Sequence, residues 1–220
     1  QAMLDVLKSD AAPEVKARAI DSLKLFLPAK WNGLKNGTAL GETLDALLKD
    51  QKTAATGFQL VAAAVATDRG AAVVAIAKDA NAPLDLRKEA VRTLGKLPSE
   101  ASVDALMNIG APKNPLSVEC VTALGELMPK GQKPPAYATK ALDAVTLAIT
   151  LGSTTPEIQS AAISALAANR FGTIWLLDAH GKNALPKEVV GQVGQLVRNP
   201  PFQDLRNRAL LAFPAAGKLD

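Results

Sequence analysis

Leu86-Arg87-Lys88-Glu89-Ala90-Val91-Arg92-Thr93-Leu94-Gly95-Lys96-Leu97 returns 30 residues later as Leu116-Ser117-Val118-Glu119-Cys120-Val121-Thr122-Ala123-Leu124-Gly125-Glu126-Leu127. Leu, Glu, Val, Leu, Gly and Leu coincide between the two. Reduced to its apolar positions, the template is an aliphatic residue, a small residue at +4, an aliphatic at +5 and another at +8. Those offsets fall on one stripe of a helix with 3.6 residues per turn, so each copy is an amphipathic helix with one face to bury. The same template fits Val15-Lys16 with Ala19, Ile20 and Leu23, and Ile158-Gln159 with Ala162, Ile163 and Leu166. It fits Leu205-Arg206 with Ala209, Leu210 and Phe213, and more loosely the stretch 53–67.

Pro13, Pro83, Pro115, Pro156 and Pro201 stand one to four residues before the template helices. A proline's fixed φ suits a first helical turn, where its missing N–H costs nothing. Thr155 and Asn114 are placed to cap two of them. Between the template helices lie partner helices at 2–9, 40–50, 71–79, 101–109, 137–150 and 187–198, with a shorter piece near 173–179. The result is an all-α chain of about six helix-turn-helix units, an α-solenoid whose pairs bury their apolar faces only by stacking on neighbours.

Composition agrees. The 220 residues include 41 Ala and 31 Leu, with 48% hydrophobic and only 4% aromatic side chains. This favours helix and lacks the aromatic and β-branched enrichment of strands. The longest apolar runs, 60–66 and 71–77, are far shorter than the roughly 18 residues of a membrane-spanning helix, so no membrane insertion is expected. A formal net charge of +4 is small and evenly spread. The chain opens at Gln1 without an initiator Met, which points to a processed product or a fragment. We expect a single repeat domain over 1–220, cut from a larger multidomain protein.

The template Pro-x-Leu/Val-Arg/Lys-x-x-Ala-Val/Ile-x-x-Leu, best formed at 83–97 and 156–166, resembles the second helix of a HEAT repeat, in particular the bacterial HEAT-like type also found in phycobilin lyases. The resemblance implies a right-handed α-solenoid. In HEAT repeats the basic residue after the aliphatic position joins a hydrogen-bond ladder between neighbouring repeats. Lys16, Arg87 and Arg206 hold that place here, while Gln159 and Ser117 interrupt it. The run Asn199-Pro200-Pro201-Phe202-Gln203-Asp204-Leu205-Arg206 through Pro214 is similar to the last HEAT unit of large extracytoplasmic planctomycete and verrucomicrobial proteins. There, a β-propeller dehydrogenase-like domain precedes the array and a haem-binding cytochrome c segment follows. That second resemblance implies an extracytoplasmic location and a spacer role.

The chemistry-bearing residues are few. One Cys and one His cannot form Cys-x-x-Cys-His or a His/Cys zinc site, so neither cofactor nor metal is expected, and no phosphate loop or nucleophile elbow occurs. His180, two residues after Asp178, does not share its helix face; the pair reads as a helix C-terminus with Gly181 as its left-handed cap. Cys120 aligns with Ala90 and belongs to the core. Trp175 sits in an apolar stretch and is assigned to the core as well. Trp31, between Lys30 and Lys35 in a turn-rich connection, is either a partner anchor or a cover for the edge of the first pair. Lys88, Arg92 and Lys96 recur every four residues and form a candidate partner-binding row on one helix face. Val118, Thr122 and Glu126 take the matching places one repeat on, which argues against a long phosphate track.

The reading that follows is a non-catalytic scaffold presenting a surface to a protein partner or to neighbouring domains. Nucleic-acid binding by a basic HEAT-like solenoid is the alternative, and a lyase-like activity stands third.

Overall fold

The computed structural model describes residues 2–151 and 154–214. Among them every regular element is helical: α1 (Ala2–Lys8), α2 (Pro13–Phe26), α3 (Thr38–Lys49), α4 (Gln51–Ala64), α5 (Gly70–Lys78), α6 (Leu84–Leu94), α7 (Glu100–Ile109), α8 (Ser117–Leu127), α9 (Ala136–Thr150), α10 (Pro156–Ala167), α11 (Arg170–Gly181), α12 (Lys187–Val197) and α13 (Arg206–Ala212). Short 3-10 turns lie at Asn32–Asn36, Thr67–Arg69 and Gln203–Leu205. The chain divides into two compact units, Gln1–Ala105 and Leu106–Asp220.

Helix starts follow local chemistry. Pro13 and Pro156 open α2 and α10 from inside the first turn. The Thr155 hydroxyl accepts from the Ile158 amide at 3.4 Å, as an N-cap should. The same hydroxyl holds the exposed Glu157 carboxyl below its usual pKa. The N-cap position of α8 is Leu116, and Asn114 acts two residues before it: its side-chain oxygen accepts from Leu116 N at 3.0 Å, and its carbonyl accepts from Ser117 Oγ at 2.7 Å.

In the first unit the helices pair as α1 with α2, α3 with α4 and α5 with α6; α4 lies between α2 and α6. The weak template copy is a full helix that starts at Gln51, capped by the Asp50 side chain, and stops at Ala64 rather than running to 67. It stops there because Val65 turns left-handed, with φ 53° and ψ 45°, and Ala66 N donates back to Val61 O at 3.0 Å. A β-branched residue adopts that conformation under strain. The Arg87 guanidinium donates from Nε to the Ala77 carbonyl at 3.0 Å, satisfying the end of α5. This bond joins Arg87 to its own pair, so the expected rung between neighbouring repeats takes a different form here.

In the second unit α10 packs against α8, α9, α11 and α12. The sequence places α12 as the first helix of a pair with α13. Instead α12 stands beside α10, where a second helix belongs, and α11 is its partner. α11 runs from Arg170, three residues earlier than the pattern indicates, because Asn169 caps it by accepting from Phe171 N and Gly172 N at 2.9 and 3.1 Å. α13 then packs on α11.

Template positions form the core. Leu86, Ala90, Val91 and Leu94 of α6, Leu116, Cys120, Val121 and Leu124 at α8, and Ile158, Ala162, Ile163 and Leu166 of α10 are all buried. Each large aliphatic side chain so placed contributes about 1.5–3 kcal/mol. Three template positions depart: Val15 is 48% exposed, Leu210 is 46% exposed and Ile20 is half-buried, as α2 and α13 have fewer helices around them.

Candidate functional site

A groove of about 990 Å³ opens in the second unit over the side of α8 and α10. Its floor is made of small residues, Gly125 on α8 and Ala161, Ala165 and Ala168 on or just after α10. The lack of a side chain at Gly125 is required, since a Cβ there would come within 2.8 Å of the Ala165 Cβ. One wall is Pro129 to Gln132, after α8. The other is Phe171 at the start of α11 with Phe202 and Asp204 before α13.

Asn169 fixes these walls. Besides capping α11, its Nδ2 donates to the Pro129 carbonyl at 2.9 Å, so both ends of the amide are spent on structure. Arg170 and Asp204 meet at 2.5 Å on the groove's edge. Glu126 and Lys130 add one charge of each sign. The groove therefore combines an apolar floor, two aromatic edges and a rim of both charges.

The sequence-predicted residues fare unevenly. Trp31 is half-buried and packs on Phe26, centroids 4.9 Å apart and tilted by 43°, with Lys30 Nζ 5.9 Å from the Phe26 ring. It covers the edge of the first pair and lines a separate cleft. Of the basic row, Arg92 is exposed on α6, but α6 ends at Leu94 and Lys96 lies in the following turn, donating from its amide to Thr93 O at 2.9 Å. The four-residue spacing thus does not continue as one helical face. Lys88 and Lys96 also each take part in an interaction with another group.

Cys120 is fully buried, and desolvation, with the neighbouring Glu119 charge second, pushes its thiol up to about 12. His180 lies on the last turn of α11 and stacks on Phe213 with centroids 4.2 Å apart, while Asp178 pairs with Arg208. The left-handed cap is Asn183, φ 52°, and Gly181 is still helical. Ala184 N donates to Ala179 O and Asn183 N to His180 O, which closes the helix two residues beyond the expected place. Trp175 is half-buried rather than core. Among the described residues no group of three His, Cys, Asp or Glu is placed to hold a metal, and no helix is long and apolar enough to cross a membrane.

Sequence reasoning missed Asn169 and both groove phenylalanines. Asn169 precedes a helix and is a strong N-cap residue type, so that signal was present; Phe171 and Phe202 meet only through the fold.

No family model matches the chain, and no curated protein matches it at the significance required. Among solved structures it is similar to the designed armadillo repeat protein YIII(Dq)4CqI, at 17% identity over 96% of this chain and 97% of that one, TM-score 0.47. It is similar to the designed armadillo repeat protein YIII(Dq.V1)4CPAF in complex with peptide (KR)4, at 17% identity over 96% of each chain, TM-score 0.46. A third similarity is to computationally designed armadillo repeat proteins for modular peptide recognition, at 16% identity over 96% and 97%, TM-score 0.42.

Proposed function

We propose that the chain is a non-catalytic protein-interaction module, and that its second unit holds an extended peptide segment in the groove over α8 and α10. The observation that carries this reading is the floor of that groove: Gly125, Ala161, Ala165 and Ala168 let a foreign backbone approach closely, while Phe171 and Phe202 offer aromatic edges for its side chains. Rigid aromatic anchors beside small residues give contact area at low entropic cost. Lys130 stands on the rim, so orientation would come from pairing there. Exposed Arg92 on α6 belongs to the contact surface of the first unit in the same proposal.

The finer reading, a HEAT-type spacer between the chemical domains of an extracytoplasmic haem protein, rests on the similarity of residues 199–214. It is tested by looking for Cys-x-x-Cys-His downstream in the parent polypeptide.

The groove is tested by selecting binders from an unbiased peptide library on the native chain and measuring them against Ala168→Arg, which fills the exposed end of the floor. Loss of binding with an unchanged far-UV circular dichroism spectrum is expected. Selected peptides that bind the variant equally well would place the interaction elsewhere, and failure to select any would remove the reading.

A further inference from the structure

Two asparagines in the chain precede glycine, Asn32 before Gly33 and Asn36 before Gly37. Both lie on the 3-10 turn Asn32–Asn36 between α2 and α3, so they share a sequence context and differ in their backbone surroundings. An asparagine before glycine is a place where the main chain can react with its own side chain. Glycine has no Cβ to block the approach of its nitrogen to the preceding side-chain amide carbon, and it turns freely. The reaction also needs a nitrogen that no hydrogen bond holds in place.

Gly37 is held. Its N–H donates to Leu34 O at 3.0 Å, and an added Cβ would lie 3.2 Å from the same oxygen. It is the N-cap residue of α3, and its own carbonyl accepts from Gly41 N at 3.4 Å. Rotation of the Asn36–Gly37 peptide breaks the bond to Leu34 O and disturbs the start of α3. Gly33 is free of these ties. Asn32 N donates to Ala29 O at 3.2 Å and Leu34 N to Trp31 O at 2.9 Å, but the Gly33 N–H between them has no partner among the described residues. Nothing lies within 4 Å of a Cβ built on Gly33, and both Asn32 and Gly33 are exposed.

We propose that Asn32 is a site of spontaneous succinimide formation and deamidation, with water as its co-reactant, and that the fold directs the reaction to Asn32 over Asn36. Gly33 N attacks Asn32 Cγ and its proton passes through solvent to the leaving Nδ2. Ammonia departs as the new C–N bond closes the ring. Water then opens the ring at one carbonyl or the other, which leaves aspartate, or isoaspartate with the main chain rerouted through the former side chain. No atom is oxidised or reduced. Either product sets a carboxylate beside Trp31, between Lys30 and Lys35. Isoaspartate also lengthens the main chain by a methylene inside the turn that the bond from Leu34 N to Trp31 O closes. The change falls on the cover of the first helix pair, where Trp31 packs on Phe26, and alters the charge of that edge as the molecule ages. It is independent of the groove in the second unit.

The test incubates the full chain in mildly alkaline buffer and maps it at intervals by tandem mass spectrometry that separates isoaspartate from aspartate. Asn32 should convert ahead of Asn36 by roughly three- to tenfold, the factor set by one backbone hydrogen bond. In concentrated urea the two should convert at similar rates, which assigns the difference to the fold. Gly33→Ala, for which the structure has room, should slow conversion at Asn32 and leave Asn36 unchanged. Asn36 converting as fast as Asn32 in the native chain would overturn the proposal. So would an Asn32 that reacts only in urea, or a preference of the same size persisting there, since the sequence and not the turn would then be its source.

Discussion

Helices α10 and α13 carry one template and bury it differently. α10 is surrounded by α8, α9, α11 and α12, and its four template positions, Ile158, Ala162, Ile163 and Leu166, are all buried. α13 packs on α11 and its own 3-10 turn. Leu205, Ala209 and Phe213 are buried there, but Leu210 at +5 is exposed. The +5 position thus encodes a capacity to pack sideways, and burial appears only where a further helix stands. That is the nearest-neighbour energetics of repeat folds, read within one unit.

The sharpest way to break this comparison is to truncate both sides of it. Leu166→Ala should cost about 2–5 kcal/mol, seen as a lower urea midpoint at unchanged slope. Next comes the +4 position, which is small and buried in both helices and is a cysteine in α8. Below about pH 9 the Cys120 thiol is neutral whether the chain is folded or not. Between about 9 and the folded value of about 12, only the unfolded chain ionises, so stability falls as pH rises, by up to about 1.4 kcal/mol per pH unit. Urea midpoints followed from pH 7 to 11 should therefore drop more steeply for the native chain than for Cys120→Ala; parallel curves would deny that the +4 site is dry. The smallest effect belongs to Leu210→Ala, within about 0.5 kcal/mol as for an ordinary surface change. A Leu210→Ala loss as large as that of Leu166→Ala would mean that α13 is covered after all.

The thirteen helices among the described residues were legible from local signals: alanine and leucine at helical spacing, and prolines before several first turns. What escaped the sequence depends on partners distant in the chain. The pairing of α11 with α12 is decided by which helix finds the side of α10, and no pattern inside 187–198 distinguishes a first helix from a second. Gly181 looked like the cap by residue type, but the chain stays helical through it and turns at Asn183, the other residue type suited to a left-handed backbone. The groove could not be read because Asn169 meets Pro129 across 40 residues, and Phe171 on α11 shares it with Phe202 in the segment before α13. Trp31 was legible as the aromatic without an assigned core role, though its ambiguity between edge cover and anchor dissolves: it packs on Phe26 and still lines an open cleft.

The reach of the fastening bonds has a kinetic meaning. Arg87 spans 10 residues to Ala77, Arg170 spans 34 to Asp204, and Asn169 spans 40 to Pro129. Loop closure over such distances is inexpensive, and folds built from near-neighbour contacts have low contact order and collapse quickly. A helix pair can begin to assemble on the ribosome as soon as it and its neighbour have emerged, without waiting for the far end of the chain. The order of synthesis can then serve as the order of folding.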